Sequence, residues 1–385
     1  MKRPLICVAV LLVMAGLAVV LLGAESVFAG KLEDAIAAAP QGTGAGQIDP
    51  GAAKGYLGIP GAPSPNLIAG LLWGIWVGWI FSSVGAFGGI MAGVGHITVF
   101  GLGEYAKLFK NTSPALNKLI TDSIRVSNQW LVGLSAIISS VNYYRMKRLV
   151  LPLGIALGVG SLGGATLIPW LTAGKINLSQ YQGFFGLIVF LVGAFLFYET
   201  TPSGQNRKKE AKAAAQAFEK STKEGKSAAE MASLGVKVTD FAIAKMTFTF
   251  FGVKFTFNPI LAAIGGFVIA AISSFLGVGG GFLVVPFLTS LVGLPMYIAA
   301  GTSAFAVVIG MITSIFTYMV AKGVVVGWSL IGAELVGIFV GSILGPRTSK
   351  YIPDIWLKRL FVVLALYVGI GYVTKGFLGT SWVPM

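Results

Sequence analysis

The chain has 385 residues, 55% of them hydrophobic and only 11% charged, with a mean hydropathy of +0.83 and a formal net charge of +14. This balance excludes an ordinary soluble domain and indicates an integral membrane protein. The basic residues sit in loops between apolar runs without any aromatic-basic recognition motif, so they point to loop placement and anionic lipid headgroups, not to nucleic acid.

Lys2 and Arg3 precede an apolar run from Leu5 to Leu22, and AESVFAG follows, with Val27 and Ala29 at the small-residue positions before Gly30. Residues 1–29 therefore read either as a cleavable secretory signal or as an uncleaved anchor helix, the run being long for a signal. Residues 30–66, rich in Gly, Ala and Pro, are expected to form an extramembrane lead-in of irregular structure. Apolar runs of about 18 residues or more then recur without period-two alternation, which selects helices over barrel strands. Spans near Leu67–Val94, Ser123–Val141, Leu149–Leu171 and Gln182–Tyr198 compose a first four-helix repeat over 67–199. A polar linker occupies 200–258; it is helix-forming at first and ends in MTFTFFGVKFTFNP, an alternating pattern that predicts a hairpin at the membrane surface. Spans near Ile260–Leu288, Ile298–Val320, Val325–Leu344 and Leu357–Thr374 make a second repeat over 259–385.

Three landmarks recur in the same order in the two sets. IFSSVGAFGGIM (Ile80–Met91) aligns with ISSFLGVGGGFL (Ile272–Leu283). Each is followed by a polar helix start, SIRVSNQW or AAGTSAF, on a helix that ends near Tyr144 or Tyr318. GSLGG at Gly160 then matches GSILG at Gly341. The expected fold is an all-α polytopic membrane helical bundle of two four-helix repeats whose first helices are broken by glycine. An even span count makes the repeats parallel about an axis along the membrane normal. That count leaves orientation in conflict: an outside start for Leu67 puts the basic linker outside, and an inside start suits the N-terminal segment badly. A re-entrant glycine segment would change the count.

Each interior glycine costs a helix about 1 kcal/mol relative to alanine, so GVGGG makes a continuous helix expensive. Freed backbone groups in hydrocarbon need protein or a wet cavity, and a helix restarting after the break offers amides and a positive dipole end to an anion. The candidate binding residues are Gly85, Gly88, Gly89, Gly277, Gly279, Gly280 and Gly281, with Ser83, Ser274, Ser127, Asn128, Thr302 and Ser303 supplying hydroxyls and amides. The competing account of such glycines is close helix packing. Arg125, read as standing at the mouth of its span, either attracts an anion or snorkels to headgroups. Glu334, the carboxylate inside an apolar span, is either a proton carrier or a neutral packing residue. The one histidine, His96, reads as incidental, and the one cysteine, Cys7, lies in the signal-like segment. With so few ligands, no zinc site built on several Cys or His residues is possible, no cofactor motif is present, and enzymatic acid-base or nucleophilic chemistry has few candidates.

GVGGGFLVVPFL, then LPMYIAAGTSAFAVVIG, then GSILG resemble the TauE/SafE sulfite exporter family of membrane permeases, built from duplicated four-helix units. The similarity covers most of Leu67 to Phe377. The first half departs from it, with Phe87 where the second has Gly279 and Val94 where it has Pro286. The resemblance implies a secondary transporter for a small sulfur-containing anion such as sulfite or an organosulfonate, with proton coupling as one mode, in the bacterial inner membrane. An anion channel with the same polar lining is the alternative. The partners expected are the anionic substrate and membrane lipids, and a homo-oligomer is compatible with the sequence.

Overall fold

The computed structural model describes residues 30–84, 88–201, 209–242, 244–276 and 280–384. The signal or anchor reading of residues 1–29 lies outside them. The lead-in starts with a helix, α1 (30–38). The first half of the bundle contains α2 (Leu67–Val84), α3 (Gly88–Val94) running into a π turn (Gly95–Val99), α4 (Leu102–Leu108), α5 (Pro114–Arg145), α6 (Leu151–Thr172) and α7 (Leu178–Thr200). The linker holds α8 (Lys209–Lys223), α9 (Ala228–Ser233) and strands β1 (Lys237–Phe241), β2 (Met246–Phe250) and β3 (Val253–Phe257). The second half contains α10 (Pro259–Leu276), α11 (Gly281–Pro286) running into a π turn (Phe287–Leu291), α12 (Met296–Phe316), α13 (Trp328–Thr348) and α14 (Asp354–Val373). Six of the described helices are long and apolar enough to cross a membrane. Ile68, Leu261 and Val363 are among the large apolar side chains left on the outside of the bundle, where lipid replaces water as their solvent.

Each glycine break is a helical hairpin. Gly88 packs on Val77 and Phe81, while Gly95 packs on Trp73, so α3 runs back along α2. Trp73 Nε1 fastens the return by donating to Met91 O at 3.1 Å. In the second half Gly280 faces Ser273 and Ile269, and Gly265 faces Phe287, the same reversal. Stretches read from the sequence as single broken spans are therefore pairs of antiparallel arms.

Small residues set how the long helices meet. Gly70, Gly74 and Gly78 of α2 lie against Leu330, Glu334 and Ile338 of α13, and Gly337, Gly341 and Gly345 of α13 answer against Leu71, Ile75 and Ser82. The positions rise together, so α2 and α13 run parallel. Gly160 and Gly164 of α6 meet Ala263 and Phe267 of α10 in the same rising order, and Gly154 and Gly158 meet Phe305 and Ile309 of α12. The Trp130–Trp328 ring contact and the Ser135–Ser342 hydroxyl bond at 2.7 Å run α5 parallel to α13. Against α12, however, α5 is antiparallel: Gly133 meets Met311, and Gly301 meets Tyr143. Hence α2, α5 and α13 point one way and α6, α10 and α12 the other.

This overturns the expectation of parallel repeats. The first helices of the two halves, α2 and α10, run in opposite directions, because each hairpin adds a pass and makes the count per half odd. The lead-in and the linker consequently lie at opposite ends of the bundle.

The linker folds as a small cap. Its predicted hairpin forms β2 and β3, joined by Phe251 and Gly252, both at positive φ (48° and 78°). Two such residues give the turn whose twist suits a two-residue hairpin. β1 completes an antiparallel sheet in the order β1-β2-β3. Phe248, Phe250, Phe255 and Phe257 bury against Ala214 and Phe218 of α8, and Phe218 packs at a tilt on Tyr297 at the start of α12 with ring centroids 4.3 Å apart.

Candidate functional site

The first buried polar cluster forms where α3, α5 and α13 meet. His96, placed by the π turn, has Nδ1 2.5 Å from Asn128 Oδ1 and Nε2 3.0 Å from Glu334 Oε2. All three side chains are fully buried. Glycines make the approach possible: Gly93 abuts Asn128, and Gly70 and Gly74 let α2 close over Glu334. Among the described residues Glu334 Oε1 and Asn128 Nδ2 have no hydrogen-bond partner, nor does either amide atom of the neighbouring Gln129. Such atoms are costly to bury in a dry interior, so a cluster of them marks a place built for something other than packing. His96 is thus a member of the polar centre, not the incidental residue expected. Its partner Glu334 lies so far along the chain that no local pattern announces the pair.

The corresponding positions of the two repeats provide an internal control. Leu288 holds the second position of its π turn, as His96 does in the first half. Leu153 stands seven residues before GSLGG, as Glu334 stands seven before GSILG. Both leucines are fully buried in one apolar cluster. The fold therefore does not require a His–Glu pair at this place.

The second cluster is centred on Arg125. Rather than standing at a span mouth, Arg125 is fully buried and donates from Nη1 to Asp122 Oδ1 at 2.8 Å. Its Nη2 donates to Phe275 O at 2.6 Å and Ser274 O at 3.1 Å. These are carbonyls at the C-terminal end of α10, whose intrahelical partners are lost where the helix stops. Asp122 Oδ2 in turn accepts from Gly174 N at 2.6 Å. The guanidinium also lies 5.0 Å from the Tyr318 ring centroid. Arg125 is thus committed to an ion pair and to capping α10, which removes the snorkelling reading. The i, i+3 spacing of Asp122 and Arg125 is the one signal of this pair in the sequence.

A matching contact closes α2. Tyr143 donates to Ser82 O at 2.5 Å, and Tyr318 donates to Ser274 O at 3.4 Å. The aligned serines thus meet corresponding tyrosines, with Tyr143 in the place expected of Tyr144, which is half exposed. The Arg148 guanidinium lies 4.9 Å from the Tyr143 ring centroid. From Arg125 to Tyr143 the axis of α5 extends roughly 27 Å at 1.5 Å per residue. The two hairpin turns therefore lie toward opposite ends of the bundle and do not face each other; it is the returning arms, α3 and α11, that touch.

Of the remaining expected site residues, Ser83 and Ser274 are buried with hydroxyls that have no hydrogen-bond partner among the described residues. Ser127 Oγ lies 3.2 Å from the Tyr56 hydroxyl. Thr302 accepts from Val150 N at 3.0 Å and donates to Ile298 O, which ties it to the turn after α5. Ser303 donates to Ala300 O within its own helix. Gly88 and Gly89 are buried in α3 and Gly281 in α11. Gly280 and Ser274 line a cavity of about 20 Å³ between α6, α10 and α12. Gly85, Gly277 and Gly279 lie outside the described residues.

Glycine-fastened helices, antiparallel helical arms and a buried ionisable pair make this a polytopic helical membrane protein. The chain belongs to the TauE/SafE sulfite exporter family, whose model matches residues 70–372. It is 33% identical over 114 residues to a probable membrane transporter protein of Methanocaldococcus jannaschii, covering 28% of this chain and 42% of that protein. It is 28% identical over 134 residues to a probable membrane transporter protein of Haemophilus influenzae, covering 31% of this chain and 48% of that one. The matched part thus spans less than half the length of each relative. No solved structure matches the chain.

Proposed function

We propose that this protein is a proton-coupled secondary transporter moving a small sulfur-containing anion, such as sulfite or an organosulfonate, across the bacterial inner membrane, with Glu334 carrying the proton. One observation carries the coupling: a fully buried His96–Glu334 contact of 3.0 Å joins positions whose counterparts in the opposite repeats, Leu288 and Leu153, are both leucines. Family membership supports the substrate class. The uncommitted donors of Ser83, Ser274, Asn128 and Gln129 support a polar route that holds an anion through hydroxyls and amides, without a salt bridge that would trap it. Placing the linker in the cytoplasm puts Arg145, Lys147, Arg148 and the linker lysines on the positive-inside face and the lead-in outside.

The test is flux into proteoliposomes with sulfite, sulfate, thiosulfate and sulfonates, each with and without an imposed pH gradient. A proton-coupled carrier accumulates one of them against its own gradient, whereas an anion channel passes it only downhill. Glu334→Gln is expected to abolish pH-driven accumulation while leaving downhill exchange. Accumulation unchanged by that substitution would remove Glu334 from the mechanism.

A further inference from the structure

We propose that residues 30–66 are a plug, and that Tyr56 is the gate residue closing the lead-in end of the transport pathway. What passes the gate rests on the transport reading; whether the gate exists does not. This segment lies before residue 70, where the family match begins. It is nonetheless folded onto the bundle. Helix α1 buries Leu32 and Ala35, Gln41 pairs with Ile48 and Lys54 with Pro60, and Ile59 is fully buried.

The chain around Tyr56 is shaped to project one ring inward. Gly55 approaches the Ala62 carbonyl so closely that any Cβ would overlap it, and Tyr56 N donates to Pro63 O at 2.9 Å. Leu57, next in the turn, is held at φ 58°, an unfavourable conformation for a leucine that the surrounding contacts must enforce. The Tyr56 ring is 5% exposed and lies against Gly327, where a Cβ would strike it. Its hydroxyl lies 2.9 Å from Ser123 Oγ and 3.2 Å from Ser127 Oγ, and Ser127 immediately precedes Asn128 on α5. Gly327 precedes Glu334 on the same helix by roughly 10 Å at 1.5 Å per residue. The ring therefore stands between the lead-in end and the His96–Asn128–Glu334 cluster. Burial raises the phenol above its ordinary value, which keeps it a protonated donor at neutral pH.

A purely structural anchor would hold the lead-in in place without controlling what reaches Asn128, and access can be read without transport. With Cys7 replaced by serine, Asn128→Cys in full-length reconstituted protein is exposed to a membrane-impermeant methanethiosulfonate from the lead-in side. Labelling is expected to be slow with Tyr56 present and at least about tenfold faster with Tyr56→Phe, the change expected when two neutral hydrogen bonds holding a closed state are lost. Tyr56→Ala should exceed it, and Gly327→Ala, which crowds the ring, should move the rate the same way. Equal rates in the folded Tyr56 and Tyr56→Phe proteins would overturn the gate and leave Tyr56 an anchor, even if Tyr56→Ala proved unable to fold. Gated labelling without anion flux would sustain the plug while sinking the transport reading.

Discussion

Arg125 and His96 show how little an isolated residue type reveals inside a membrane. A lone arginine near a predicted span boundary and a lone histidine past a glycine run both have bland explanations. What decides their roles is the company brought from elsewhere: Asp122 and the end of α10 for Arg125, Glu334 and Asn128 for His96. The polar character of α5 and the oddity of Glu334 were legible, because cost in hydrocarbon depends on residue type alone. The pairings were not, because they join residues from different helices. Arg125→Met would strand the Asp122 carboxylate and leave two carbonyls uncapped. Breaking one side of a buried pair costs about 3–5 kcal/mol. Thermal unfolding in detergent should show a marked loss for Arg125→Met, and full retention would mean that the Asp122 pair is dispensable.

Among the elements, the glycines of α2 and α13 recur every fourth residue and lie on one seam, Gly70, Gly74 and Gly78 against Gly337, Gly341 and Gly345. This is the packing role, and the spacing displays it. A Cβ at position 341 would overlap the backbone of Ile75. Gly341→Ala gains helix propensity of about 1 kcal/mol but forces the helices apart, and overpacking of this kind costs about 1–3 kcal/mol. A lowered melting temperature is therefore expected, with little change if the seam is loose. Between α2 and α3, and between α10 and α11, the chain instead reverses direction. Sequence marked the places correctly but could not distinguish a kink from a hairpin, since both need the same freedom of the backbone.

For the whole molecule, that ambiguity propagated into topology. All-α class, many spans and two similar halves follow from apolar periodicity and recurring motifs, and the bundle has the first two. The direction of the second half depends on parity, which a single extra pass inverts. With hairpins counted, an extracellular lead-in and a cytoplasmic basic linker become compatible, and the charge conflict of the four-span reading disappears. Single cysteines at Asp49 and Lys226, in a background with Cys7 replaced by serine, should react with an impermeant thiol reagent from opposite sides of the membrane. Reaction from the same side would refute the odd count.

Helix α5 joins two clasps. One continuous rod of 32 residues carries Arg125, which holds the end of α10, and Tyr143, which holds the end of α2. Neither clasp can be displaced by a rigid tilt of that rod without the other moving as well, and about a pivot between them the two ends swing in opposite senses. A single rod with a latch at each end thus ties the position of the α10 end to that of the α2 end.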